Sequence, residues 1–269
     1  MKHEFIPYFI HCITNMHVGS GDANYGVVDK LVQRDPVTNY PTIHPSSLKG
    51  ALREHFELQP GWEKNGEKIN TVFGKEAIGG SDSETGEYKF LGADLVSLSV
   101  RCNFQQYVMA LNKTQADLLN QKTDLLVQKK IFESIEAATQ LFYKANTPDY
   151  EIFAEDIKIT TKAAHQKVLK AKSGLISFDE KYAIFTDEDF KTFTKNLPVI
   201  ARNYIEDGTS ENLWYEEIVP HQSVFLTFIA ETDTTLRTDF EKILNESLVQ
   251  IGGNATIGYG LCKFYKITF

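Results

Sequence analysis

One stretch constrains the architecture more than any other: residues 17–53, HVGSGDANYGVVDKLVQRDPVTNYPTIHPSSLKGALR. The end of a β-rich segment runs into a glycine-rich turn, then a long polar loop from Gly19 to Pro45, then a helix. A loop of that length in a compact domain is commonly functional. The helix is read from Leu48, Ala51, Leu52, His55 and Phe56, which fall at helical spacing and form one buried stripe ending near Leu58. A hydroxyl accepts from the free amides of a first helical turn, so Ser46 or Ser47 is the expected cap. Lys49 and Arg53 lie four apart beside the stripe, where like charges repel by a few tenths of a kcal/mol. Two readings of that pair stand: a solvated basic edge, or a grip on an anion shared with the helix N-terminus.

The rest of the chain alternates strands and helices. Residues 5–18 and 261–269 are rich in β-formers and read as a first and a last strand. Residues 59–90 are turn-rich and charged, with Val72, Phe73 and Gly74 as a short apolar anchor, and 89–100 are strand-like. A mostly helical stretch is expected over 112–144, capped at Thr114, and a strand over 150–159. Residues 182–185 form a short strand, and Asp187 caps a helix carrying Phe190, Phe193 and Leu197. Asp207-Gly208 is a hairpin signal. Its arms carry Arg202, Asn203 and Tyr204 on one side and Trp214, Tyr215 and Glu216 on the other, without clean alternation. Such a hairpin either projects, where its aromatics can wedge against bases, or lies on the core with Trp214 buried. A strand over 224–230 and a helix over 236–251 lead to the loop GGNATIGYG. The pattern fits a single α+β domain over 1–269, a sheet backed by helices.

Charge limits the function classes. A net of −8 and a pI near 5.4 are unlike a free nucleic-acid binder. Any RNA contact needs a local basic face, with metal ions or neighbouring subunits adding positive charge. The most positive stretch holds Lys158, Lys162, His165, Lys167, Lys170 and Lys172, and a solvated helix face is the reading the sequence alone favours. Cys12, Cys102 and Cys262 are odd in number, far apart and set in apolar runs. Buried reduced thiols in a cytoplasmic protein are expected, and no paired spacing suggests zinc. No apolar run reaches the ~18 residues of a membrane span, and residues 1–16 are too polar for a secretory signal.

Gly252-Gly253 followed by Gly258-Tyr259-Gly260 leaves a helix and enters a strand, the reverse of a dinucleotide fingerprint, and lacks the Gly-Lys-Ser/Thr of a P-loop. It is either a helix stop with a tight turn or a set of amides cradling a phosphate or sugar. Acids gather in two places: Asp22, Asp29 and Asp35 in the long loop, and Glu206, Asp207, Glu216 and Glu217 in the hairpin. An RNA nuclease uses such a carboxylate to hold a divalent metal or to take the proton of a 2′-hydroxyl. His17 is a candidate base, or an ordinary polar residue at a strand end.

Several blocks together resemble the RAMP proteins of CRISPR effector complexes, above all the repeated backbone subunit of type III-B (Cmr) complexes. They are His17-x-Gly19-Ser20-Gly21; Val27-Val28-Asp29; Gln33-Arg34-Asp35-Pro36; Pro41 through Pro45-Ser46-Ser47-Leu48-Lys49-Gly50-Ala51-Leu52-Arg53; Thr186 to Phe190; Leu213-Trp214-Tyr215-Glu216-Glu217 with Pro220; and GGNATIGYG. The resemblance implies a ferredoxin-like, RRM-like palm with insertions and a projecting β-hairpin thumb at about 199–220. It implies partners: a CRISPR RNA, a paired target RNA, further copies of the chain, the small subunit and the large Cas10-type subunit. Each copy would cut the target beside its thumb, with a divalent metal (Mg2+ or Mn2+), leaving a cyclic phosphate. By the same resemblance Asp29 would be the cutting residue and metal ligand, and His17, Tyr215, Glu216 and Glu217 would be further catalytic residues near the cut. Ser46, Ser47, Lys49, Arg53, Arg202, Gly252, Gly253, Gly258, Tyr259 and Gly260 would contact RNA. The chain departs from the pattern at Pro45, where the family has Gly, at Glu206, in an Asp position, and at Tyr259, in an Arg position. A non-cleaving guide-binding scaffold, the type III-A (Csm) counterpart and a stand-alone guide-processing endonuclease are the alternatives. The Tyr-Glu-Glu hairpin speaks against the second, and the acidic net charge against the third.

Overall fold

The computed structural model describes residues 3–21, 26–75, 83–142, 149–162, 168–174, 182–231 and 235–269. Its centre is four strands: β1 (Glu4–Cys12), β4 (Ala93–Arg101), β12 (Val224–Glu231) and β14 (Leu261–Lys266). They lie in the order β14-β1-β12-β4, every neighbour antiparallel. Helix α1 (Pro45–Glu57) lies in the crossover from β1 to β4, and α5 (Arg237–Glu246) in that from β12 to β14. This is the split β-α-β order of a ferredoxin-like sheet, as expected. Between β4 and β12 the chain inserts β5 (Tyr107–Asn112), α3 (Lys113–Val127), β6 (Gln140–Phe142), β7 (Ile152–Ala154), β8 (Ile157–Lys162), β9 (Tyr182–Phe185) and α4 (Asp187–Lys195). These strands extend the sheet outward from β4, while β13 (Leu248–Gln250) borders β14 on the other side.

Strand β1 is buried on both faces because each carries a core. Ile6, Tyr8, Ile10 and Cys12 join α1 and α5 in one; Phe9 joins α3 in the other. The first core is aromatic: Phe56 and Phe240 stack at 4.5 Å, with Trp62, Phe73, Tyr88 and Phe90 around them. Strand register sets Cys12 opposite Cys262, both buried free thiols, as the sequence suggested. Cys102 is free and half-buried. Among the described residues no helix is long and apolar enough to cross a membrane.

Several elements differ from the sequence reading. The first strand stops at Cys12, and the turn-rich 59–90 region contains a helix, α2 (Glu67–Phe73). The helix expected over 112–144 ends at Val127, because Gln128 takes a left-handed conformation (φ 57°). Ile131 and Ile135 are buried from non-helical segments and Leu141 from the strand β6. The 150–159 strand is the hairpin β7–β8, and the helix of 236–251 gives way to β13. Caps fall one or two residues earlier than expected: Asn112 accepts from the Gln115 amide and Thr186 from the Asp189 amide. At α1 the cap position is His44, with Pro45 in the first turn; neither Ser46 nor Ser47 caps it. Of the basic stretch, Lys158 lies on β8 and pairs with Glu151, so it is not a helix face there; His165 and Lys167 lie outside the described residues, as does Asp22.

Candidate functional site

Strands β10 (Val199–Glu206) and β11 (Thr209–Glu217) form a separate two-stranded hairpin. Its turn is Asp207-Gly208, both at positive φ (48° and 80°), as a two-residue hairpin turn requires. Every residue from Asn203 to Leu213 is exposed, and Trp214 is half-buried, so the hairpin projects. At its root the loop carrying Asp29 docks alongside β11. Tyr215 O accepts from the amides of Asp29 (3.0 Å) and Lys30 (3.1 Å), and the Glu217 amide donates to Lys30 O (2.9 Å). The Tyr215 amide donates to Asp29 Oδ2 at 2.7 Å. Asp29 is exposed, and its Oδ1 has no hydrogen bond among the described residues.

The two glutamates point into the body. Glu216 is 1% exposed and accepts from three segments: Trp214 Nε1 (2.7 Å) and Lys30 Nζ (3.0 Å) on Oε1, and Asn254 Nδ2 (2.8 Å) on Oε2. Burial pushes its carboxyl up, but the donors and the Lys30 charge outweigh that, and the net value lies below the ordinary one. The carboxylate contacts are therefore complete at neutral pH and are lost only as pH falls through that lowered value. Glu217 accepts from Arg34 and from the Val32 amide, and Arg34 also donates to Thr194 O (2.7 Å). His17, also buried, sits 2.7 Å from Glu217 O through Nδ1. A carbonyl only accepts, so Nδ1 carries the proton.

The glycine loop closes the other side. Gly253 donates to His17 O at 2.9 Å. At Gly252 (φ 87°) a Cβ would sit 2.3 Å from His17 O, and at Gly260 (φ 70°) 2.0 Å from Ile251 O. These two glycines are required by backbone approach. Gly258 faces open space, and Tyr259 lies under the Arg202 guanidinium at 5.8 Å. Helix α1 joins through Gln33, which donates to Gly19 O and Ser47 Oγ and accepts from the His44 amide.

Residues expected together are thus partly so. Asp29, Tyr215, Glu216, Glu217, His17 and the glycine loop form one hydrogen-bonded unit; Arg202 and Tyr259 meet beside it. Lys49 and Arg53 do not share a grip: Arg53 is turned to Glu57 (3.0 Å) and Gly74 O (3.0 Å), while Lys49 has no ion pair among the described residues. Ser46 is exposed at the start of α1. Lys30, Gln33, Arg34, Trp214 and Asn254 were not singled out from the sequence as site residues, although each lies inside a quoted block. No cluster of three or more His, Cys, Asp or Glu side chains suits a metal among the described residues. A single carboxylate with a free oxygen still suits Mg2+, which takes one or two carboxylates and completes its shell with water and phosphate oxygens.

Comparison with known proteins bears on this arrangement. A model of the RAMP superfamily matches residues 9–263. The chain is 28% identical to the CRISPR system Cmr endoribonuclease Cmr4 of Pyrococcus furiosus, over 94% of this chain and 92% of that protein. It superposes on the crystal structure of oligomeric Cmr4 from Pyrococcus furiosus with TM-score 0.71 at 21% identity, covering all of both chains. A chain of the type III-B Cmr-beta complex bound to cognate target RNA gives TM-score 0.72 at 21% identity, with 97% and 96% covered.

Proposed function

The chain belongs to the RAMP superfamily, and on that premise we propose that it is the backbone subunit of a type III-B CRISPR effector complex, repeated along a guide RNA and cutting the paired target. The observation that carries this reading is the docking of the Asp29 loop on the hairpin root, which fixes an exposed carboxylate where a projecting element meets the palm. The relative of known activity is an endoribonuclease, and a related chain is oligomeric.

In the proposed reaction the 2′-oxygen attacks the adjacent phosphorus, its proton passes to Asp29, and the P–O5′ bond breaks as the departing 5′-oxygen takes a proton from water. The products are a 2′,3′-cyclic phosphate and a 5′-hydroxyl. Asp29 is also the residue that would hold a divalent metal, which would supply positive charge beside the RNA phosphates when bound. Arg202, Tyr259, Gly258 and the exposed start of α1 face the RNA. His17 and Glu217 hold the loop and hairpin together. The small subunit and the large Cas10-type subunit complete the assembly, in the cytoplasm.

The test is a complex reconstituted with a guide of known sequence and a labelled complementary RNA. Evenly spaced cuts, present with Mg2+ or Mn2+ and absent with chelator, are expected. An intact target under both conditions, with the guide bound, would make the chain a non-cleaving scaffold.

A further inference from the structure

The two acids of the hairpin root are not equivalent to Asp29, and Glu216 differs from it most. Asp29 is exposed with an oxygen to spare, whereas Glu216 is almost wholly buried with both oxygens engaged. Its three donors come from three segments far apart in sequence: Trp214 from the hairpin, Lys30 from the Asp29 loop, and Asn254 from the glycine loop. Lys30 also lies 5.0 Å from the Trp214 ring centroid, so its charge is shared between carboxylate and ring. From this geometry we infer that Glu216 is a positioning residue: a clasp that fixes the hairpin, the Asp29 loop and the glycine loop relative to one another, without itself touching RNA or metal. Asn254 and Trp214 are its partners in that role, and Lys30 links it to the residue beside it, Asp29. The inference deepens the proposed function and rests on it.

A clasp and a reacting acid respond differently to an amide. Glutamine keeps the shape and one acceptor oxygen for Trp214 and Lys30, and its NH2 can donate to Asn254 once that amide turns over. It cannot take a proton in the reaction and is a poor metal ligand. Glu216→Gln is therefore expected to keep cleavage within about fivefold of wild type. Glu216→Ala releases all three donors, and a shift of about 1 Å in a reacting group costs on the order of 100-fold. Asn254→Asp sets two carboxylates against each other and loses cleavage. Adding Glu216→Gln to it restores a donor–acceptor pair and recovers cleavage.

The experiment measures single-turnover cleavage by the reconstituted complex for these four variants. Beside it, iodide quenching of tryptophan fluorescence is measured on the free full-length chain, against Trp214→Phe. Quenching of Trp214 rises in Glu216→Ala and stays near wild type in Glu216→Gln. The double variant and the quenching together keep the test valid if Glu216→Ala folds poorly. Equal inactivity of Glu216→Gln and Glu216→Ala, with Trp214 unmoved in the former, would overturn the inference and make Glu216 a reacting or metal-holding acid. Wild-type activity in Glu216→Ala would overturn it in the other direction. Absence of cleavage by the wild-type complex would instead sink the proposed function, while the quenching result would still report whether the clasp exists.

Discussion

Asp29→Asn is expected to slow target cleavage by about 10²- to 10⁴-fold, the range lost when a positioned proton acceptor is removed, with guide binding unchanged. The substitution is close to isosteric. The Tyr215 amide that now donates to Oδ2 would find the amide oxygen in the same place. The two backbone bonds from residues 29 and 30 to Tyr215 O involve no side chain and persist. Lost are the basicity of the free oxygen and its capacity as an anionic metal ligand. Because Asp29 is exposed, no buried partner is stranded and folding is spared. The measurement is single-turnover cleavage alongside co-elution of guide and protein. Cuts at the wild-type rate, with the guide bound, would remove Asp29 from the chemistry.

Phe240→Ala is expected to cost about 3–5 kcal/mol of stability, the usual penalty for emptying a buried phenylalanine site. For a chain of this size that is a fall in Tm of roughly 6–20 °C. The ring stacks on Phe56 nearly parallel (6°) and meets Tyr88 edge-on at 5.1 Å, with Trp62, Phe73 and Phe90 beyond. Those rings come from α1, the loop after it, α2, β3 (Lys89–Phe90) and the segment leading into β3, so no single rearrangement can fill the void. Thermal unfolding of the free chain measures the effect. Leu125→Ala, at a side chain 86% exposed, serves as the control, expected within about 0.5 kcal/mol of wild type. A Phe240→Ala chain melting with the control would mean that the cluster is looser than its geometry.

The hairpin was legible because Asp207-Gly208 names its own backbone: both residues must take positive φ, and they do. The short strand β9 and the strand β12 were legible as dense runs of β-formers. Helix α3 was overrun because Ile131, Ile135 and Leu141 happen to continue a helical spacing, while the left-handed residue that ends the helix is a glutamine and not a glycine, the usual stop signal. The caps slipped because neighbouring Asn, Ser, Thr and Asp all cap well, and only backbone geometry chooses among them. The acids were the hardest to read. A buried glutamate runs against the usual distribution, and the partners of Glu216 and Glu217 include Lys30 and Arg34, 186 and 183 residues away. Sequence could mark both glutamates as notable; only the fold separates their surroundings from those of Asp29.

The hairpin touches the rest of the protein at its root and stands free from Asn203 to Leu213. Its reach is therefore a variable that can change without disturbing the centre at its base. One residue added to each arm lengthens it by about 3.4 Å and turns the new tip side chains to the opposite face; two per arm restore the facing. In such an architecture the distance spanned by the protrusion and the hydrogen-bonded network at its foot are separable. Insertion near the tip changes the reach alone, while substitutions at the root are held to one hydrogen-bonded geometry.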